Sequence, residues 1–278
     1  MSGLVLAFDT ATEACAIGLG VREGLQVAAV AARDFYAPRA AMSGLLPAVR
    51  GLLDEAGVSI RDVDEVVVGR GPGSFTGVRI GVATAKGVAH GLGTPLFGVG
   101  TLDAVAWRFA GRYEGLLGVV GDAMRGEVYP ALFDVGTDAD GRAFVQRHND
   151  DCVAKPGVVA EQWAAEIGCA VLLAGNGLAK YQDVFATALG ERAGLSDRDV
   201  WAPSGAGLLA AYAAALRARD AGDGEPGAVL PVYTRLSDAE EAERARRGFA
   251  DVTLPATGVR GPDDRTDASG ADRGREPS

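Results

Sequence analysis

Histidine is nearly absent from this chain of 278 residues, which has only His90 and His148. The His-x-x-x-His spacing, which places two imidazoles on one helix face for a metal ion, does not occur. Three cysteines, Cys15, Cys152 and Cys169, are widely separated and form no Cys-x-x-Cys pair, so neither a disulfide framework nor a zinc knuckle is indicated. We expect no metal site and buried, reduced thiols, with His90 stabilised by a helix end.

Basic residues are also in short supply. The formal net charge is −10, and three lysines accompany 24 arginines. A protein that grips nucleic acid unaided normally offers a basic surface to the phosphates, so any RNA is expected to be held by a partner. No apolar run approaches a membrane span, and residues 4–8 are too short for a signal peptide. With an apolar fraction of 48%, the sequence predicts a globular cytoplasmic protein with no membrane contact.

The order of elements in the first half indicates a fold. Strands are predicted at 4–8, 15–19 and 25–31, and a helix follows around residues 42–53. A strand at 66–68, a helix at 77–90 and a strand at 95–99 complete the series. Three strands followed by helix, strand, helix and strand is the order of the ribonuclease H-like domain of actin-like ATPases and sugar kinases, which is a fold-level analogy.

The second half repeats this pattern. A strand at 116–121 ends in Asp122, as the first strand ends in Asp9, and a second strand follows at 127–133. A third strand at 142–147, a helix at 158–167 and a strand at 171–174 predict a smaller, degenerate copy. We therefore expect an α/β protein of two ribonuclease H-like domains. Their predicted bounds are 1–105, joined by the helix 204–219, and 106–203, followed by a disordered tail at 237–278 that can be removed after Leu236 without loss of folding.

A glycine-rich loop at residues 69–77 separates the strand at 66–68 from the helix that follows. Such a loop can cradle a phosphate at a helix N-terminus. The spacing, however, has neither the Gly-Lys-Ser/Thr end of a P-loop nor Gly-x-Gly-x-x-Gly, so a tight structural turn is favoured on spacing alone. Ser74 or Thr76 is expected to cap the helix.

The loop sequence GPGSFTGVRIG at residues 71–81 resembles the signature of the TsaB family of bacterial tRNA threonylcarbamoyladenosine biosynthesis proteins, also called YeaZ. Four further stretches and a Leu-Leu-Pro also match the family, and all of them occur in the family's order between residues 4 and 235. They are LAFDTA at 6–11, LLP at 45–47, DAMRGEVY at 122–129, GNG at 175–177 and PVYTR at 231–235. The resemblance implies a two-domain, actin-like fold and a role in tRNA modification.

Residues that could carry chemistry are sparse. Asp9 is in the position where actin-like ATPases organise a metal, but Thr10-Ala11-Thr12 replaces the usual glycine, and a turn that accepts N–H bonds is the favoured reading. Ser74 and Cys15 lie in no nucleophile elbow and beside no histidine. Asp122 with Glu127 could form an acid-base pair, although carboxylates are common at turns. We expect no catalytic residue and no cofactor.

The family resemblance also implies partners. It points to a non-catalytic subunit that binds TsaD and acts with the ATPase TsaE, supporting threonylcarbamoyl transfer to N6 of adenosine 37 in tRNAs reading codons that begin with A. Contact with tRNA would then be only indirect, and a homodimer is possible. Two alternatives stay open: a small-molecule kinase of the actin-like superfamily, and a metallopeptidase.

The predicted partner surface consists of two helices of the first domain, which in the family pair with the equivalent helices of TsaD. A strip of small residues, Gly77, Gly81 and Ala85, would let another helix approach closely. The residues assigned to this surface are Met42, Leu45, Leu46, Val49, Leu53, Val78, Gly81, Val82, Ala85 and Ala89.

Overall fold

A five-stranded mixed sheet forms the first half of the molecule. The computed structural model describes residues 2–36 and 41–234, without the side chains of 41–43, together with Thr257 and Val259. The strand order is β3-β2-β1-β4-β5, with β2 antiparallel and β4 parallel to β1, which confirms the predicted ribonuclease H-like fold. The strands are Ser2–Asp9 (β1), Ala14–Glu23 (β2), Gln26–Tyr36 (β3), Val63–Gly69 (β4) and Leu96–Val99 (β5).

A second five-stranded sheet repeats this topology with shorter strands. Its order is β10-β9-β6-β7-β8, with β7 antiparallel and β9 parallel to the central strand β6. The predicted third strand at 142–147 and the strand at 171–174 are present, and β10 was not predicted. The strands are Gly115–Asp122 (β6), Val128–Thr137 (β7), Ala143–Arg147 (β8), Val171–Ala174 (β9) and Ala193–Leu195 (β10).

Helices cover both sheets. The predicted helices of the first half and the predicted helix at 158–167 are present, whereas α3 and α5 were not predicted. The helices are Ala41–Glu55 (α1), Phe75–Leu92 (α2), Thr101–Ala106 (α3), Pro156–Glu166 (α4), Leu178–Leu189 (α5) and Gly205–Ala218 (α6).

Alternation along β1 divides the first-domain core into two layers, because successive side chains of a strand point to opposite faces. Leu6 and Phe8 pack with the apolar side chains of α1 and α2, while Val5 and Ala7 pack beneath α6. Helix α6 lies very close to β2, since a Cβ on Gly205 would be 2.1 Å from the carbonyl oxygen of Ile17. The first sheet is therefore enclosed by helices on both faces.

A buried glutamate of β4, Glu65, fixes α6 to the first sheet through Tyr212. The Tyr212 hydroxyl donates to Glu65 Oε2 at 2.9 Å, and Arg22 Nη2 lies 2.6 Å from Glu65 Oε1. Glu65 is buried, and both partners compensate the loss of its hydration. Burial, followed by the neighbouring Glu65 charge, raises the pKa of Tyr212, so its hydroxyl remains a donor.

Helix α3 joins the two domains through packing. Leu102 and Val105 belong to the core of the second domain, whereas Ala104 packs beneath α6. Arg147 on β8 contacts Asp103 at 3.0 Å and Asp151 at 2.5 Å, which fixes α3 to the second sheet. The predicted boundary at 105 and 106 thus falls within a helix that contributes to both cores.

The C-terminal segment contacts both domains at the residues that can be described. Val232 donates its N–H to the Arg70 carbonyl at 2.8 Å, and Arg79 Nε donates to the Tyr233 hydroxyl at 2.9 Å. Thr257 and Val259 lie against the second domain. The other residues of the predicted disordered tail, 237–256, 258 and 260–278, lie outside the described residues.

A search of the described ranges found no helix with the length and apolar character needed to cross a lipid bilayer.

Candidate functional site

Asp9, at the carboxyl end of β1, is fully buried and uses both carboxylate oxygens within the chain. Oδ1 accepts the Ala11 N–H at 2.5 Å, and Oδ2 accepts the Thr101 hydroxyl at 2.6 Å. Thr101 Oγ1 in turn accepts the Gly71 N–H at 3.1 Å. Burial raises the pKa of Asp9 although these hydrogen bonds oppose the shift. The predicted role as a turn residue is therefore confirmed, and the carboxylate faces protein donors on both sides.

The glycine-rich loop is fastened to the turn after Asp9. Ser74 caps α2 as predicted, because its Oγ accepts the Gly77 N–H at 3.3 Å. The Ser74 N–H donates to the Ala11 carbonyl at 2.7 Å, and the Thr10 hydroxyl donates to the Gly77 carbonyl at 2.7 Å. The N–H groups of Ser74 and Gly77 thus bond to the protein itself, which supports the structural-turn reading of this loop.

The two glycines of the small strip on α2 face Thr10, the residue that follows the first strand. A Cβ on Gly77 would be 2.1 Å from the Thr10 carbonyl oxygen, and one on Gly81 would be 2.6 Å from Thr10 Oγ1. These distances are too short for any side chain, so both positions require glycine. The strip therefore serves packing within the domain, and the prediction that it admits a partner helix is wrong.

The cleft between the domains is almost filled. Its cavity has a volume of about 10 Å³, room for about one water molecule. Pro72 and Gly73 line it from the first domain, Leu102 and Tyr129 from α3 and the second domain, and the Tyr129 hydroxyl lies 3.4 Å from the Gly73 carbonyl oxygen. A nucleotide does not fit a space of this size, so the geometry offers no support for the kinase alternative.

The carboxylates of the β6–β7 turn are held apart by separate lysines. Asp122 forms an ion pair with Lys180 at 2.5 Å, and Glu127 forms one with Lys155 at 3.4 Å. The hydrogen bond from Lys180 to Asp122 raises the pKa of that lysine. Asn176 of the Gly-Asn-Gly stretch accepts the Asp122 N–H at 2.9 Å, so this stretch ties β9 to β6. These contacts are those of a structural turn.

Metal ligands are not assembled within the part of the chain that the structure describes, where no group of three His, Cys, Asp or Glu side chains could hold an ion. His90 lies exposed in the last turn of α2, and His148 lies 3.1 Å from Asp134 in the second domain. Cys15 is buried, and its burial, with the nearby Asp9 and Asp34 charges, raises its pKa to about 12. Such a thiol is a poor nucleophile at neutral pH.

Most of the predicted partner residues are buried in the core of the first domain. Because a helix packed on a sheet turns its apolar face inward, the period that identified these residues selected the core face. Leu46 is 53% exposed, while the Met42 side chain lies outside the described residues. The buried members are Leu45, Val49, Leu53, Val78, Gly81, Val82, Ala85 and Ala89.

An open apolar groove nevertheless lies between α1 and α2. Its volume is about 670 Å³. Leu46 and Val49 line it from α1, Val88 from α2, and Val58 and Ile60 from the segment after α1. Val58, Ile60 and Val88 are not among the interface residues predicted from the sequence, although Val58-Ser59-Ile60 directly after a helix end is a readable apolar signal. We call this feature the α1–α2 groove.

The duplicated sheet, the aspartate turn after β1 and the glycine-rich loop at the cleft place the chain in the actin-like fold class, in a form whose cleft is closed. A family model described as "TsaD: tRNA N6-adenosine threonylcarbamoyltransferase" matches residues 36–243. The chain is 37% identical over 198 residues, 70% of its length and 78% of the relative, to "tRNA threonylcarbamoyladenosine biosynthesis protein TsaB" of Escherichia coli.

Two further relatives extend the match. An uncharacterised protein of Mycobacterium tuberculosis is 35% identical over 236 residues, 85% of this chain and 93% of that protein. The solved structure of YeaZ from Pseudomonas aeruginosa superposes with a TM-score of 0.65 at 32% identity, covering 83% of this chain and 99% of that one. The chain belongs to the TsaB family, also named YeaZ, within the broader family that the TsaD model describes, as the motifs predicted.

Proposed function

We propose that this chain acts in the formation of N6-threonylcarbamoyladenosine at position 37 of tRNA as a non-catalytic subunit that binds TsaD, with TsaE as a further partner. Membership of the TsaB family supports the pathway. The observation that carries the non-catalytic role is the closed site around Asp9. Its carboxylate accepts hydrogen bonds from Ala11 and Thr101. The N–H groups of Gly71, Ser74 and Gly77 in the loop bond within the chain, and the cleft beside them holds a cavity of only about 10 Å³.

The α1–α2 groove is the proposed contact surface for TsaD. It combines an apolar lining with an exposed leucine, Leu46, and such an anchor on an apolar surface is typical of protein interfaces. The groove lies between the two helices that the sequence predicted to bind TsaD, α1 and α2. The proposed contact uses the open side between these helices, because the faces predicted from the sequence are buried. A homodimer of the free chain could use the same groove.

The net charge of −10 favours indirect contact with tRNA. A complex in which TsaD supplies the phosphate-binding surface avoids placing this acidic chain against the RNA backbone. No specific contact in the described residues favours the kinase or the metallopeptidase alternative.

The experiment that tests this proposal compares two glutamate substitutions. Leu46→Glu places a carboxylate in the α1–α2 groove and should weaken TsaD binding by about two decades, roughly 3 kcal/mol. Val158→Glu is a matched control, because Val158 on α4 of the second domain is also 53% exposed. Calorimetric titration with TsaD and a threonylcarbamoylation assay with TsaD, TsaE and the adenylate-forming enzyme measure the effect.

Both variants should keep the wild-type circular dichroism spectrum, since both sites are on the surface. Unchanged affinity in Leu46→Glu would remove the groove from the interface. Modification of tRNA by this chain with threonylcarbamoyl-adenylate alone, without TsaD, would overturn the non-catalytic role independently of where TsaD binds.

A further inference from the structure

Thr257 is buried, with 4% of its surface exposed, although it lies far along a polar C-terminal sequence. Both its backbone N–H and its hydroxyl donate to Glu166 Oε2, at 2.8 Å and 2.7 Å. Val259, two residues on, packs against the core of the second domain. Thr257 thus makes two hydrogen bonds to the second domain, and Val259 makes an apolar contact with the same domain.

Thr257 contacts the carboxyl end of α4, which is also held in place by residues outside the tail. Gln162 donates to the other oxygen of Glu166 at 2.9 Å, one helical turn away. Arg192 donates to the Ala164 carbonyl at 3.1 Å and also to the Ile167 carbonyl, so one guanidinium caps the end of the helix. A fixed acceptor loses little conformational freedom when it binds a donor.

The position of Glu166 is itself informative. As the last residue of α4 it places a negative charge at the negative end of the helix dipole, which is unfavourable unless donors compensate it. The hydrogen bonds from Thr257 and Gln162 lower the pKa of Glu166 despite its partial desolvation. A carboxylate at this end of a helix therefore gains from a ligand that brings two donors.

We propose that the carboxyl end of α4 is a docking site for the chain's own C-terminal segment, anchored by Thr257 and Val259. The site differs from the α1–α2 groove in domain and in chemistry. The occupant is a stretch with a threonine, whose N–H and hydroxyl donate to one carboxylate, and an apolar residue two positions later. The second domain thereby retains the tail as an intramolecular ligand.

Trypsin cleavage of the full-length chain after Arg260 tests this docking, because that bond lies one residue beyond Val259. Glu166→Ala removes the acceptor of two hydrogen bonds and should increase the initial rate of this cleavage about tenfold. Glu161→Ala, an exposed glutamate on the same helix, is the matched control and should leave the rate unchanged. Val259→Ser in the tail removes the apolar contact without adding a charge beside the cleaved bond, and should give the same acceleration as Glu166→Ala.

Mass spectrometry follows the Arg260 cleavage relative to cleavage after Arg273 in the same molecules, and hydrogen exchange of residues 162–168 reports the other side of the contact. Equal rates in wild type, Glu166→Ala and Val259→Ser would overturn the proposal. A wild-type rate that falls with rising protein concentration would also overturn it, since it would indicate docking onto a second copy.

Discussion

Asp9 and Cys15 are both buried in the first domain, and the charge of Asp9 acts on the Cys15 thiol. The carboxylate is stabilised by the Ala11 N–H and the Thr101 hydroxyl, and its charge raises the pKa of the Cys15 thiol. A position that organises a metal in other actin-like proteins here closes a turn. The same residue type serves both purposes because a carboxylate accepts equally from a metal ion and from N–H and O–H donors.

Cys15 should resist alkylation in the native chain at pH 8, whereas the partly exposed Cys169 should react first. With a pKa of about 12 the Cys15 thiolate is scarcely populated at this pH. Iodoacetamide labelling followed by peptide mass spectrometry measures both rates in one sample, and unfolding in urea should equalise them. Equal rates in the native chain would contradict the burial of Cys15.

The raised pKa of Cys15 also makes the free energy of unfolding depend on pH. The folded pKa of Cys15 lies above its ordinary value of 9.0, so the unfolded thiol ionises first as the pH rises. The stabilising contribution of the protonated folded thiol is complete below pH 9 and is lost progressively between about pH 9 and 12. Urea unfolding across this interval should show a decline that is smaller in a Cys15→Ala variant, in which only other groups such as Tyr212 still contribute.

At the scale of elements, α2 packs closely against Thr10, directly after the first strand, because Gly77 has no side chain. Gly77→Ala should lower the free energy of unfolding by about 2 to 3 kcal/mol, because the new Cβ overlaps the Thr10 carbonyl. Gly87→Ala on the same helix meets open space and should instead stabilise the protein by about 0.5 to 1 kcal/mol. Urea denaturation of the two variants measures the difference, and similar effects at both positions would contradict the close contact.

Local pattern was enough to locate many elements but not the faces they present. Val66, Val67 and Val68 identified a buried strand, and the period of α2 identified its apolar stripe. The period could not state whether that stripe meets a sheet or a partner, since both are apolar environments. The sheet alone distinguishes them, and the sheet is a long-range feature.

Other elements were missed for separate reasons. Helix α5 has a readable pattern, because its buried residues Leu178, Phe185 and Leu189 keep helical spacing between Gly177 and Gly190. Strand β10 has no such signal, since Ala193-Gly194-Leu195 is three residues long. The closed cleft was also unreadable, as it depends on Tyr129 and Gly73 meeting from different domains.

At the scale of the whole molecule, the C-terminal segment contacts the first domain through Val232 and Tyr233 and the second domain through Thr257 and Val259. Removal of the chain after Leu236 should reduce the free energy of unfolding by about 2 kcal/mol, because two hydrogen bonds and the partial burial of Val259 are lost. A chain ending at Arg260 is the control and should match the full-length protein. Thermal unfolding measures all three, and TsaD affinity should be unchanged because the α1–α2 groove is in the first domain.

Truncation after Leu236 was expected from composition to leave folding intact, and the chain should still fold with that loss. Equal melting temperatures for the chains ending at Leu236 and Arg260 would contradict a contribution from Thr257 and Val259. Loss of TsaD binding in the shorter chain would show that the tail also acts at the interface.

The close contact between α6 and β2 determines which mutations are tolerated at two glycine codons, those of Gly18 and Gly205. At Gly18 and Gly205 backbone meets backbone, and a Cβ on either would lie within 2.5 Å of a main-chain atom of the other segment. Every missense mutation of a glycine codon adds at least a Cβ atom. No single-nucleotide substitution at either codon therefore gives a residue that the backbone contact can accommodate. In a saturation library selected for folded protein, these two positions should therefore be depleted of all substitutions, alanine included, while the exposed Gly87 accepts many.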